Sequence, residues 1–201
     1  MCLTALKGIS MNTDSINSYI EKNFSEKRRV HTEGVRQTAM HLAEKYGENV
    51  EKAEVAALFH DMFRGVPVDV LNYYVTHLGL DKKYYDNANL VHSKIAAIIM
   101  KRDYGISDED IINAVSYHTT GRKGMSKLEK IIYIADAIEP SRDYPGVDDL
   151  RKEAEIDLDD ACLMSLSRTI DYVRSQGKYL DEDTLQAKEY FEKEKETRGD
   201  L

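Results

Sequence analysis

The stretch AEVAALFHDMFRG, residues 53–65, decides how this chain is read. An alanine-rich helical run ends in adjacent His60 and Asp61, and Gly65-Val66-Pro67 breaks the helix. Ala53, Ala56, Ala57 and His60 share one face, and small side chains there permit close packing on a neighbour. A histidine beside an aspartate at the end of a buried helix can give a metal two ligands at once. The dipeptide alone is a weak signal; the rest of the chain gives it weight.

On the N-terminal side, residues 14–23 and 25–46 read as helices, the second stopped by Gly47. His31, Val35, Thr38 and Leu42 fall at i, i+4, i+7 and i+11, so His31 sits on the apolar face. On the C-terminal side a helix spans 68–80. A helix over 89–104 carries His92 with Ile95, Ala96 and Ile99. The next starts at Ser107-Asp-Glu-Asp, with Asp110 at the capping-box position, and carries Ile111, Ala114, Val115 and His118. Ser126 caps a helix over 127–138 that contains Asp136 and is stopped by Pro140. One long helix is expected over 150–174, and a charged helix after Thr184 that frays into solvent. Three prolines and little β-branched alternation make the fold all-α.

Four of the six histidines, His31, His60, His92 and His118, thus lie on apolar faces of four helices, and Asp136 lies in one of the most apolar stretches. Singly, each is most simply a hydrogen-bonded core residue. Four histidines and two carboxylates aimed inward together would be costly to bury without a common partner. A divalent cation satisfies them all. Imidazole and carboxylate without cysteine suit iron, manganese or zinc. His41 and His77 fall outside the set: His41 faces away from His31, and His77 sits near a helix end.

The bulk properties agree. The chain has 201 residues, 42% hydrophobic and 32% charged, enough for one domain with a sizeable core. A net charge of −8 argues against a nucleic-acid-binding surface but leaves room for a small anionic ligand. Cys2 and Cys162 stand alone, which fits a reducing cytoplasm. The longest strongly apolar stretches, Ile95–Met100 and Ile131–Ile138, are far short of a membrane span, so no membrane partner is expected. The first fifteen residues make a poor signal peptide, and Met11 is an alternative start. The expected organisation is an N-terminal tail over 1–15, one domain over 16–190 and a charged tail over 191–201.

The order His31 … His60-Asp61 … Asp136 resembles the HD-domain phosphohydrolase superfamily, an all-helical family that holds a divalent metal with H…HD…D. RRVHTEGV, LFHDMFRG, LVHSKIA, SYHTTGRKGMSKLEKIIYIADAIEPSRDYPGV and LDEDT, in this order, look like the YqeK family of bacterial HD proteins. The resemblance covers about residues 16–190 and is most specific over 117–147. It implies a single-domain HD-type helical bundle with its metal site between core helices. It implies symmetrical cleavage of diadenosine tetraphosphate into two ADP, with iron as the metal and manganese or zinc as substitutes. Carried over by position, His31, His60, Asp61 and Asp136 become metal ligands. His92 and His118 face the phosphates or hold a second metal. Arg28, Arg64, Thr119, Arg142, Asp183 and Thr184 match positions near the nucleotide, as do the ligands His31, Asp61 and Asp136. Asp61, His92 and His118 are the expected catalytic set.

Two departures stand out. Many relatives carry lysine three residues after the HD aspartate, whereas this chain has Arg64, a planar cation that cannot give up a proton at neutral pH. Glu182 stands where relatives often have proline. Mechanistically, a metal-activated water is expected to attack a β-type phosphorus in line. Asp61 orients the water, His92 and His118 steady charge or protonate the leaving oxygen, and arginines offset the tetraphosphate. A homodimer is compatible with the sequence. Other HD chemistries, a nucleotidase or a (p)ppGpp hydrolase, compete with this reading, as does a non-catalytic nucleotide sensor.

Overall fold

In the computed structural model, which describes residues 13–199, the chain folds into ten α-helices and one 3-10 turn at Lys82–Tyr84, with no strand among the described residues. The helices are α1 Asp14–Asn23, α2 Glu26–Tyr46, α3 Val50–Phe59, α4 Val68–His77, α5 Ala88–Asp103, α6 Glu109–Tyr117, α7 Lys127–Ile138, α8 Val147–Ala154, α9 Leu158–Ser175 and α10 Glu182–Arg198. Cys2, the Met11 start and most of the expected 1–15 tail lie outside the described residues.

The local chemistry explains where the helices begin and end. Ser25 caps α2 by accepting from the Arg28 N–H, and Gly47 ends it in the left-handed region at φ 64°. Asn49 caps α3 through the Lys52 N–H. Ser126 and Glu129 form a reciprocal capping box on α7. Asp108, one residue later than the sequence suggested, caps α6 by accepting from the N–H groups of Asp110 and Ile111. Asp110 instead accepts from the Ser126 hydroxyl at 2.5 Å, tying the start of α6 to the start of α7.

Helix α7 is the hub. It packs against α2, α3, α6, α8 and α9, and Leu128, Ile131, Ile132 and Ile134 are wholly buried. Each such side chain contributes roughly 1.5–3 kcal/mol when removed from water. Ala53, Ala56 and Ala57 are also wholly buried, and this small-residue face lets α3 lie close to α2. The metal-ligating candidates therefore hang from five helices that share one core: α2, the end of α3, α5, the end of α6 and α7.

Two expectations need correction. The single helix over 150–174 is two, because Asp157 accepts from the N–H groups of Asp159 and Asp160 and so starts α9 afresh. The charged tail over 191–201 is not a tail through Arg198. It is the second half of α10, which packs on α9 with Phe191 only 2% exposed. Lys195 and Arg198 pair with Asp160 near the start of α9, so the charges that suggested fraying are the ones that dock the helix. No helix among the described residues is long and apolar enough to cross a membrane.

Candidate metal centre

His31 projects from the second turn of α2, and Asp136 from the last turn of α7. His60 caps the C-terminus of α3 and Asp61 follows in the turn, where its carbonyl accepts from the Arg64 N–H at 2.8 Å. His92 comes from α5 and His118 from the C-cap of α6. The four imidazoles and Asp61 are buried, and Asp136 is partly so.

The hydrogen bonds fix which nitrogen of each ring faces inward. Nδ1 of His60, His92 and His118 donates to the carbonyls of Ala57, Ala88 and Val115, at 2.6, 3.2 and 2.8 Å. Nδ1 of His31 donates to the Glu139 carboxylate at 3.0 Å. A carbonyl or an ionised carboxylate can only accept, so each Nδ1 carries the hydrogen and each neutral ring presents an Nε2 lone pair. Those lone pairs converge. Nε2 of His31 lies 3.3 Å from Nε2 of His60, and Nε2 of His92 lies 3.2 Å from Nε2 of His118.

Asp61 stands between the two pairs. Its Oδ2 is 3.4 and 3.5 Å from Nε2 of His31 and His60, and its Oδ1 is 3.2 and 3.7 Å from Nε2 of His92 and His118. Asp136 Oδ1 is 3.2 Å from His31 Nε2. Two overlapping donor sets result, His31–His60–Asp136 and His60–Asp61–His118, each with its ligand atoms within 4.8 Å of one another. A cluster of inward lone pairs and carboxylates fits a divalent cation of borderline or hard character.

Arginines supply part of the countercharge. Arg28 forms an ion pair with Asp61. Arg142 reaches Asp136 Oδ1 through Nη2 at 2.5 Å and the Asp136 carbonyl through Nε at 2.8 Å. Three carboxylates, Asp61, Asp136 and Glu139, face these two guanidiniums, so the site retains an appetite for a cation. Burial alone would lower the His31 pKa, but hydrogen bonds to Asp136 and Asp61 outweigh it and raise it to about 9. Burial pushes His92 down to about 4. Burial would raise the carboxyls of Asp61 and Asp136, yet His60 beside the first and His31 with Arg142 beside the second hold them well below the carboxylate range.

The remaining sequence candidates divide. The Thr119 hydroxyl lies 3.3 Å from His118 Nε2, at the cluster. The Arg64 side chain has no ion pair among the described residues, and its charge is felt at His92. Thr184 is buried in the first turn of α10, away from the histidine cluster's hydrogen bonds among the described residues. Its neighbour Asp183 acts electrostatically on Lys94 and Arg122 instead. Helix α10 does approach the loop after His118, since a Cβ on Gly121 would lie 3.5 Å from that of Ala187. His41 pairs with Glu155 on the surface, and His77 stacks on Tyr73.

Sequence reasoning missed Glu139. It is 1% exposed, holds His31, and accepts from the Ser141 N–H at 2.7 Å and the Ser141 hydroxyl at 2.6 Å. Burial would raise its carboxyl, but the Ser141 and His31 hydrogen bonds lower it. A carboxylate just before a helix-ending proline reads as a solvent-facing cap, and only a buried site for it would have signalled otherwise.

A helical bundle with a buried H…HD…D cluster is the architecture of an HD-type hydrolase. Residues 28–141 match the HD domain family model, and the chain belongs to that family. It is 39% identical over 176 residues to a Bacillus subtilis (strain 168) protein named bis(5'-nucleosyl)-tetraphosphatase, symmetrical; the match covers 87% of this chain and 95% of that one. A Staphylococcus aureus (strain NCTC 8325 / PS 47) protein of the same name is 40% identical over 148 residues, 72% of this chain and 75% of the relative. Among solved structures, an HD superfamily hydrolase from Clostridium acetobutylicum, described as involved in NAD metabolism, superposes with a TM-score of 0.85 at 44% identity, covering 90% of this chain and 97% of that one.

Proposed function

We propose that this protein is a metal-dependent hydrolase that cuts diadenosine tetraphosphate at its centre, water entering and two ADP leaving. The observation that carries the reading is the convergence of four imidazole Nε2 atoms on Asp61, with Asp136 beside His31, in a chain that aligns over most of its length with symmetrical tetraphosphatases. His31, His60, Asp61 and Asp136 hold the divalent cation, with iron preferred and manganese or zinc as substitutes. When bound, such a cation makes water a nucleophile at neutral pH and polarises a phosphoryl oxygen.

The chain's own groups do the rest. Asp61 divides its two oxygens between the His31–His60 side and the His92–His118 side, so it fixes the attacking water relative to both. His92 has its Nδ1 hydrogen committed to Ala88 and is kept neutral by burial, which leaves its Nε2 lone pair free to accept a hydrogen bond from the attacking water. The departing ADP is already a stable anion at neutral pH and needs no strong acid. Arg28, Arg64 and Arg142 line the tetraphosphate, arginine being suited to two phosphate oxygens at once. Thr119 offers a hydroxyl beside His118, and Thr184 helps enclose the nucleotide from α10. A homodimer and a cytoplasmic location complete the reading, with no membrane or nucleic-acid partner.

The test is anaerobic turnover of diadenosine tetraphosphate by protein reconstituted with Fe²⁺, Mn²⁺ or Zn²⁺, with products separated by chromatography. ADP as sole product, lost in His60→Ala, is expected. ATP plus AMP would contradict central cleavage. Preferred turnover of a deoxynucleoside monophosphate or (p)ppGpp would assign another HD chemistry, and tight ADP binding without turnover would make the protein a sensor.

A further inference from the structure

We infer that Glu139 is a positioning residue for the metal centre, setting His31 with its Nε2 inward, and that Gly34 is glycine so that Glu139 can reach it. The inference rests on the metal-centre reading above and deepens it.

The four ring histidines are not held alike. Three anchor Nδ1 on a carbonyl three or four residues earlier in their own helix. His31 alone is anchored by a side chain, and from 108 residues away. A carboxylate is the stronger acceptor. It locks the tautomer, fixes the ring plane and makes the opposite nitrogen a more basic ligand. Glu139 is itself fixed: Oε1 takes the His31 Nδ1–H and the Ser141 hydroxyl, while Oε2 takes the Ser141 N–H. This carboxylate thus has a defined position before any ligand arrives.

That position is available only because of Gly34. Gly34 lies one turn after His31, inside α2, where glycine is unfavourable for a helix. No left-handed backbone angle excuses it, since Gly34 is absent from the positive-φ residues. A Cβ there would stand 2.5 Å from Glu139 Oε2, 3.3 Å from its Cδ and 3.4 Å from its Cβ. The first distance is closer than real Cβ atoms come, so alanine would push the carboxylate off Ser141 and away from His31. The helix gives up propensity at this one residue to let a carboxylate from the end of α7 lie against it.

The experiment is Co²⁺ titration, followed by its visible spectrum, on the full chain as wild type, Glu139→Gln, Gly34→Ala and the double variant. Alongside it, the His31 ring is read by NMR in the Zn²⁺-loaded protein. Each single variant should weaken Co²⁺ about 10–100-fold, the range for loss of a histidine-orienting partner. The double variant should lose no more than the worse single, because both act through one contact. The His31 Nδ1–H signal should be downfield and exchange-protected in wild type and lose both properties in the variants. Ser141→Ala, a smaller perturbation that keeps both Gly34 and Glu139, should weaken Co²⁺ less. Unchanged affinity and an unchanged His31 signal in variants with wild-type helical circular dichroism would overturn the inference, as would independent, multiplying losses in the double variant. Failure of the wild type to bind Co²⁺ at all would instead remove the metal centre itself.

Discussion

Nε2 of His31 lies 3.3 Å from Nε2 of His60, and the far nitrogen of each ring donates its hydrogen to a fixed acceptor. Two nitrogens so arranged cannot hydrogen-bond each other while both rings are neutral. Either a proton sits between them or a cation does, and the neighbouring carboxylates favour both. This competition between proton and metal governs how the protein should respond to pH.

Protons and metal should compete in opposite directions. In metal-free protein the His31 pKa is raised from 6.5 to about 9, so folding gains from that proton. The gain is full below pH 6.5 and is lost as pH rises through 9. His92 is lowered from 6.5 to about 4, so the folded state resists its protonation, and stability falls as pH drops from 6.5 through 4. Urea unfolding of chelator-treated protein should therefore show less stability at pH 9 than at 6.5. Saturating Mn²⁺ should abolish that loss, and Mn²⁺ affinity should rise over the same interval.

Arg142 spans two acceptors of one residue, the side chain and the carbonyl of Asp136. Lysine cannot reproduce that fork. Arg142→Lys should raise KM for diadenosine tetraphosphate roughly 10–100-fold, the equivalent of about 1.5–3 kcal/mol for hydrogen bonds to a charged group. Steady-state kinetics with saturating metal measures it. An unchanged KM would mean the guanidinium only braces Asp136.

Phe191 is buried in a helix whose sequence is otherwise mostly charged. Phe191→Ala should cost about 3–5 kcal/mol in urea unfolding, in the range for a buried aromatic truncated in a core. A cost below about 0.5 kcal/mol, as for exposed positions, would return residues 191–198 to the status of a tail.

The histidines were legible because each falls at a helical spacing from buried neighbours, and four inward imidazoles have few innocent explanations. Asp61 and Asp136 were legible by adjacency and by an apolar setting. Glu139 was not, because its partner lies 108 residues away and its local context, Ile138-Glu139-Pro140, reads as a helix end. Gly34 carries no local signal of its role, which lies in its packing against Glu139. The break between α8 and α9 rests on Asp157, whose capping role competes with a helical pattern that runs straight through it. The docking of α10 rests on Thr184, Ala187 and Phe191, which fall at i, i+3 and i+7 on one face, a narrow stripe masked by the charges around it.

The proposed function requires one cation held by His31, His60, Asp61 and Asp136. Crystals grown with Fe²⁺, Mn²⁺ or Zn²⁺, measured at the metal's absorption edge, test it most directly. The account predicts an anomalous peak about 2.0–2.2 Å from Nε2 of His31 and His60 and from an oxygen of each aspartate. A peak bound elsewhere, or occupied density at the site with both histidines turned to present Nδ1, would contradict it.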